Sequence, residues 1–479
     1  MREAFHLEER DPMSISLSAP AADSIERLEI VNPASEAILA ELTSADRNDL
    51  DRMVAAATEA FPAWRDTPLA QRKTAIQGIG KLITENADEL AALLTAEQGK
   101  PLAQARSELS GAAAWCTGIA DQAIEDEMLQ ETAERIVVKR HVPLGVVGAI
   151  VPWNYPVALA IWKIAPAIVT GNCIIVKPSP FTPLTTMRVI ELAQALLPTG
   201  VLQVIVGGDA LGPWMTEHPG ITKISFTGST ATGRRVMASC SASLKRVTLE
   251  LGGNDAAIVF PDVDVDAVVP QIFWTAFVNS GQLCVATKRV YIHEDIYDEF
   301  RDALIAFSRT VMMGDGAAEG VALGPVQNRQ QYERLQSLLA ETAGGAANQI
   351  TPQPVSNSSG YFVPVTFIDN PPEDSSIVQE EQFGPILPLL KFSDTDDVIR
   401  RVNASEFGLG GSVWTTDPDL AIEVAQKIDS GSVWINQPQY LSPFVPFSGH
   451  KQSGLGVENG RDGILEYTNV QTITRGPIG

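Results

Sequence analysis

The sequence predicts an α/β protein built from two parallel-sheet domains, and three observations carry that expectation. Between residues 144 and 260 a strand–turn–helix pattern repeats, and its strands read as continuous apolar runs. Runs of that kind belong to parallel sheets covered by helices on both faces. After Gly253 the alternation begins again and lasts to about residue 440, which marks a second domain of the same class. A chain of 479 residues is also too long for one simple core.

Taken in order, residues 1–27 are polar, mixed and without a period, and read as a loose arm, with Met1 or Met13 as the start. From Ile30-Val31-Asn32-Pro33 come a turn, a short strand and then helices. Ser44-Ala45-Asp46 opens one, with Leu50, Met53, Val54 and Ala57 at helical spacing. A second helix is expected over roughly 70–94 and a third over 102–124. Residues 136–143 alternate weakly after an acidic stretch and read as a strand leaving the main body; residues 470–475 have the same look. Two such strands could pair, and their exposed edges invite a neighbouring subunit.

The parallel series then follows. Strands are expected at 146–151, 173–177, 201–206 and 221–226, with helices over 162–169 and 185–197 between them. No internal repeat or low-complexity segment interrupts the chain.

Composition narrows the function classes. Apolar residues at 45% and charged residues at 19% describe an ordinary globular enzyme. A net charge of −23 argues against nucleic acid and anionic membrane surfaces, whose phosphates would repel it. The four cysteines, Cys116, Cys173, Cys240 and Cys284, form no Cys-x-x-Cys pair, which suits free thiols in a reducing compartment, and the five histidines lack metal-ligand spacing. No apolar run reaches membrane-spanning length, and acids stand where a secretory signal would be basic, so a cytoplasmic location and no metal are expected.

Three stretches carry chemistry. Asn279-Ser280-Gly281-Gln282-Leu283-Cys284 sets a cysteine behind a Gly-Gln turn. Val247-Thr248-Leu249-Glu250-Leu251-Gly252-Gly253-Asn254 puts a carboxylate in an apolar run, where an unpaired charge is costly. Ile150-Val151-Pro152-Trp153-Asn154-Tyr155-Pro156 holds an asparagine between two prolines. Thiol, carboxylate and amide are the groups that acyl chemistry at an aldehyde carbon requires. A fourth stretch, Phe226-Thr227-Gly228-Ser229-Thr230-Ala231-Thr232-Gly233, joins a strand to a helix. It reads equally as a phosphate-binding turn or as a plain turn with an N-cap.

At these residues the chain resembles the aldehyde dehydrogenase superfamily, from roughly residue 28 to the C-terminus. The resemblance implies a Rossmann-like cofactor domain (28–124 and 144–252), a catalytic domain (253–460) and a β oligomerisation arm (125–143 and 461–479) in a homodimer or homotetramer. It implies NAD as cofactor, with Gly228 and Ser229 at the pyrophosphate, Lys177 and Ser179 at the adenosine ribose, Glu381 at the nicotinamide ribose and Phe383 near the nicotinamide. Trp153, Leu251 and Gly252 complete that set. Family members often have a glutamate where this chain has Pro180; that acid would repel a 2′-phosphate, so its absence leaves NADP open.

By the same resemblance Cys284 is the nucleophile, Asn154 and the Cys284 N–H form the oxyanion hole, and Glu250 activates the water that releases the acid. Cys116, Cys173 and Cys240 are apolar filler. The segment from Pro446 to Gly456 matches a family motif, with Ser448 replacing one glycine. Tyr155, Leu159, Trp162, Val278, Leu283, Val285, Leu441 and Phe447 are expected to line the entry funnel. An apolar funnel favours aliphatic or aromatic aldehydes over semialdehydes; a betaine aldehyde is less favoured, although Tyr155 and Trp162 offer ring faces for a cation. The rival readings are a coenzyme A-acylating dehydrogenase, which needs no hydrolytic base, a non-catalytic binding protein on the same fold, and a thiol hydrolase working without nucleotide, which the Ser229, Glu381 and Phe383 motifs oppose.

Overall fold

The computed structural model describes residues 26–345, 348–355 and 359–476. Most of the expected 1–27 arm, Met13 included, lies outside the described residues. Arg27 already opens the first strand, β1 (Arg27–Val31), which pairs antiparallel with β2 (Ile38–Thr43). Four helices follow. In α1 (Arg47–Asp66) Asp46 and Asp49 form a reciprocal capping box. The single helix expected over 70–94 is two, α2 (Leu69–Glu85) and α3 (Ala87–Gln98). Asn86 divides them: its backbone leaves helical geometry at φ −108° and ψ 17°, and its side-chain amide donates to the Leu82 carbonyl. Gly99 ends α3 at φ +92°, where a Cβ would meet Pro33 and Pro325. The fourth helix, α4 (Leu102–Asp121), stops three residues short of the expected end.

The acidic stretch ahead of residue 136 is itself a strand, β3 (Glu127–Glu131), paired with β4 (Ile136–Pro143). The sheet series then runs β5 (Val146–Ile150), α5 (Pro156–Val169), β6 (Cys173–Lys177), α6 (Leu184–Gln194), β7 (Leu202–Val204), α7 (Leu211–Glu217), β8 (Lys223–Thr227), α8 (Thr230–Ser241) and β9 (Arg246–Glu250). These five strands are parallel, in the order β9-β8-β5-β6-β7. The order reverses between β5 and β8, so loops at their carboxyl ends splay apart and leave a crevice.

The second sheet is built from β10 (Asp255–Val259), α9 (Val265–Phe277), β11 (Thr287–His293), α10 (Tyr297–Ser308), α11 (Arg329–Ala343), β12 (Asn348–Ile350), β13 (Thr366–Asp369), α12 (Ser376–Gln379), β14 (Ile386–Phe392), α13 (Thr395–Asn403), β15 (Phe407–Gly408), β16 (Gly410–Trp414), α14 (Pro418–Lys427) and β17 (Ser432–Ile435). Its order is β12-β13-β14-β11-β10-β16-β17, parallel except for β12, while β15 stands apart. Along β10, Ala256 and Ile258 enter one apolar cluster and Ala257 and Val259 the other, so the strand buries both faces.

The end of the chain returns to the first domain. β18 (His450–Lys451) pairs with β15, β19 (Gly454–Leu455) adds antiparallel to β9, and α15 (Gly460–Leu465) contacts α5. Then β20 (Thr468–Arg475) pairs with β4 along its whole length, giving a three-stranded sheet with β3.

Candidate active site

A cleft of about 440 Å³ opens at the carboxyl ends of β5, β8 and β9, facing the second domain. Pro152, Trp153 and Asn154 come from the β5 end, Thr227, Gly228 and Ser229 from the β8 end, and Leu251 and Gly252 from the β9 end. The second domain contributes Cys284, Glu381 and Phe383. Seven of the nine expected cofactor residues therefore share one wall system. Lys177 and Ser179 do not reach it; they lie at the end of β6, one strand further along the sheet.

The walls suit a dinucleotide. Ser229 caps α8 by accepting from the Thr232 N–H at 3.3 Å, which leaves the positive end of a twelve-residue helix at the cleft. Glu381 accepts from the Gly253 N–H at 3.2 Å and pairs with Lys288 at 3.3 Å. Burial still pushes its carboxyl up, with Lys288 opposing. Phe383 meets Trp153 edge-on, with ring centroids 5.4 Å apart. A helix terminus for phosphates, an acceptor for hydroxyls and an aromatic corner for a flat ring thus line one crevice.

Cys284 stands on a strained loop. Asn279, Ser280 and Gly281 all have positive φ, at 52°, 56° and 75°, and only at Gly281 is that free of steric cost. A Cβ there would lie 2.3 Å from the Gly384 carbonyl oxygen. Buried hydrogen bonds hold the conformation: Ser280 Oγ donates to Gly324 O at 2.7 Å, and the Gln327 N–H donates to Gln282 Oε1 at 2.8 Å. Lys288 Nζ donates to the carbonyls of Leu283 at 2.8 Å and Cys284 at 2.6 Å. Cys284 is partly exposed, whereas Cys116, Cys173 and Cys240 are buried. Its thiol is pushed up to about 12, chiefly by desolvation, with Lys288 opposing and Glu381, Glu250 and Asp255 adding to the rise.

Asn154 reaches the same loop. Its side-chain Nδ2 donates to Gln282 O at 3.0 Å, and its own carbonyl accepts from Asn279 Nδ2 at 3.0 Å and from Lys100 Nζ at 2.9 Å. Lys100 is ion-paired with Glu108 at 2.5 Å, both side chains wholly buried, and Glu108 also accepts from the N–H groups of Val157 and Ala158 at the start of α5. One of the two Nδ2 hydrogens is used within the loop; no second acceptor for it occurs among the described residues.

Glu250 ends β9 and is buried, but it is not part of the cleft wall. Neither carboxylate oxygen has a hydrogen-bond partner among the described residues. Desolvation and then Glu458 push the carboxyl well above its ordinary value, while Lys163 opposes. Lys163 and Glu458 form a buried ion pair, and Ser225 Oγ donates to Glu458 at 3.2 Å. Sequence reasoning missed this pair, although a lysine inside the apolar run of α5 is a usable signal.

The chain matches the model of the aldehyde dehydrogenase family over residues 20–473. It belongs to that family. It is 40% identical to aldehyde dehydrogenase LUC3 of Fusarium sp, over 92% of this chain and 94% of the relative. Identity to the phenylacetaldehyde dehydrogenase of Pseudomonas fluorescens is 35%, over 94% and 93% of the two chains. Among solved structures, the NAD+ complex of an aldehyde dehydrogenase from Bacillus cereus superposes with a TM-score of 0.91 at 33% identity, covering 94% of this chain and 93% of that one. An NADP dependent enzyme of E. coli gives 0.91 at 33% identity, over 94% and 95%. The protein is an NAD(P)-dependent dehydrogenase that oxidises aldehydes.

Beside Cys284 this aldehyde dehydrogenase carries an apolar cluster. Tyr155, Leu159, Trp162, Leu283, Val285, Leu441 and Phe447 gather there, as expected of a funnel. Val278 does not join them: it caps the C-terminus of α9, its N–H donating to Trp274 O, and the left-handed turn that follows separates it from Cys284. Trp115, Leu409 and Trp434 join instead. Trp115 stacks on Trp162 with centroids 5.3 Å apart and planes at 18°, and Phe447 meets Trp162 edge-on at 5.8 Å. Sequence reasoning missed Trp115 because it comes from α4, far from any motif. The two cations nearest the cysteine in sequence are engaged with backbone: Lys288 as described, and Arg289 with the carbonyls of Asn254 and Val402.

Proposed function

We propose that this dehydrogenase oxidises apolar aldehydes, aromatic ones foremost, to free carboxylic acids through a thioester on Cys284. The observation that carries the reading is the convergence of Cys284 and Asn154 at one cleft that also holds Trp153, Ser229, Glu381 and Phe383. NAD(P), when bound, supplies the acceptor for the hydride that leaves the aldehyde carbon. The chain's own residues do the rest. Cys284 attacks the carbonyl carbon; because its thiol is pushed up by burial, its proton passes to solvent water in the cleft as the S–C bond forms and the carbonyl electron pair moves onto oxygen. The Cys284 N–H and the second Asn154 amide hydrogen stabilise the oxyanion. Burial and Glu458 favour the protonated carboxyl of Glu250, so Glu250 first gives up that proton and then, ionised, takes one from the water that cleaves the thioester. No hydrogen bond anchors its carboxyl group among the described residues, so it can turn from the Lys163–Glu458 pair toward the cleft. A hydrolytic base also favours water over coenzyme A as acyl acceptor.

The Trp115–Trp162–Phe447 group supports flat apolar substrates. Lys288 and Arg289 are turned to backbone carbonyls and Lys100 is paired with Glu108, so none of these three cations is free for the carboxylate of a semialdehyde. A quaternary ammonium group is disfavoured as well, since the Lys100 ammonium already sits 3.7 Å from the Tyr155 ring centroid. The identity to a phenylacetaldehyde dehydrogenase points the same way. Met128, Leu129, Val470 and Ile473, exposed on the β3–β4–β20 sheet, support self-association into a dimer or tetramer through that arm. Free thiols fit a reducing cytoplasmic setting. A kcat/KM panel tests the substrate reading: benzaldehyde, phenylacetaldehyde and hexanal should exceed succinate semialdehyde and betaine aldehyde, and the reverse order contradicts it.

A further inference from the structure

Lys177 is the last residue of β6 and only 6% exposed, yet its ammonium has no hydrogen-bond or ion-pair partner among the described residues. A buried cation left this way is poised for a polar ligand. Its place fits one. The cleft occupies the carboxyl ends of β5 and β8, and β6 is the neighbour of β5 in the same parallel sheet, with Ile150 opposite Lys177. A dinucleotide laid across the strand ends from the cleft reaches β6 next.

The surroundings of Lys177 are acidic. Desolvation lowers its ammonium to about 8, and the charges that act against this are Asp209 first and then Glu26. Both acids are held by backbone geometry. The Ile205 N–H donates to Val176 O at 2.9 Å, which sets the 205–209 loop beside the end of β6. On the other side of that loop, the Ser44 N–H donates to Glu26 O at 2.9 Å, and Ser44 Oγ accepts from the Gly208 N–H at 3.2 Å. The Glu26 carboxylate then covers Gly208 so closely that a Cβ there would lie 2.2 Å from Oε1. Neither Glu26 nor Asp209 is ion-paired among the described residues, and Pro180, three residues beyond Lys177, carries no charge.

We propose that Glu26 and Asp209 select NAD over NADP, by holding two carboxylates at the point where the adenosine ribose meets Lys177. The proposal deepens the cofactor reading above and rests on the nucleotide running past β6. A ribose 2′-hydroxyl can donate to a carboxylate, whereas a 2′-phosphate would bring further negative charge against two acids with one lysine to offset it. The acid absent at position 180 is thus replaced from the segment ahead of β1 and from the loop after β7.

Steady-state kinetics of the full chain with NAD and with NADP, using hexanal, test this in wild type, Glu26→Gln, Glu26→Gln/Asp209→Asn and Lys177→Ala. Wild type should prefer NAD. Glu26→Gln should raise the NADP/NAD ratio of kcat/KM by about tenfold, the double variant should raise it further, and Lys177→Ala should raise KM for both nucleotides. If Lys177→Ala raises both KM values while neither carboxamide variant moves the ratio, the proposal fails alone. If Lys177→Ala leaves both KM values unchanged, the path past β6 fails and the proposal with it. A wild-type preference for NADP also overturns it.

Discussion

The Asn154 side-chain amide donates to the Gln282 carbonyl oxygen at 3.0 Å, across 128 residues of sequence. This bond ties the turn ahead of α5, in the first domain, to the loop that presents Cys284, in the second. Any shift between the domains at that point would separate the amide from the thiol, so the geometry of the reacting centre depends on it.

Asn154→Ala should therefore lower kcat by about 10²–10³-fold, the usual loss for an oxyanion donor, with a smaller effect on nucleotide affinity. Stopped-flow measurement of reduced-nucleotide formation and fluorescence titration of nucleotide separate the two effects. Loss of nucleotide binding with unchanged chemistry would assign Asn154 a merely structural place.

Beneath that turn, Lys100 and Glu108 form an ion pair with no side-chain exposure. Removing one partner leaves a buried charge alone, so Lys100→Met should destabilise the fold by about 3–5 kcal/mol. Lys100→Met/Glu108→Gln should recover part of that. Denaturant melts check both; equal stability of single variant and wild type contradicts the account.

Burial pushes the Cys284 thiol up to about 12, well above the ordinary cysteine value. Burial disfavours the thiolate, so at neutral pH the protonated, weakly nucleophilic form dominates. Alkylation by iodoacetamide without nucleotide should accelerate about tenfold per pH unit from neutrality upward, with no plateau below pH 10. A plateau near pH 8 would mean an activated cysteine instead.

Trp115 forms one wall of the aromatic group beside Cys284 through its stack on Trp162. Trp115→Ala should reduce kcat/KM for benzaldehyde several-fold more than for acetaldehyde, the difference measuring lost ring contact. Equal losses for both substrates would place Trp115 outside the binding surface.

Local signals made much of this readable in advance. Continuous apolar runs marked β5, β6 and β8, and the Gly281-Gln282 turn singled out Cys284 from three buried cysteines. What escaped depends on partners remote in sequence. Asn86 splits a helix through one side-chain bond, and β3 is a strand of five exposed residues recognisable only by its pairing with β4. Lys163 finds Glu458 almost three hundred residues away, and Trp115 reaches Trp162 from another helix. Val278 had the right neighbours in sequence and the wrong turn geometry, since the left-handed run at 279–281 cannot be read from residue types alone.

The division of labour between Cys284 and Glu250 is tested most directly by intact-protein and peptide mass spectrometry of Glu250→Gln, quenched after mixing with NAD and benzaldehyde. A benzoyl adduct should accumulate on the Cys284 peptide and be absent in Cys284→Ala. Steady-state turnover equal to wild type with no adduct, or an adduct on another residue, would contradict it.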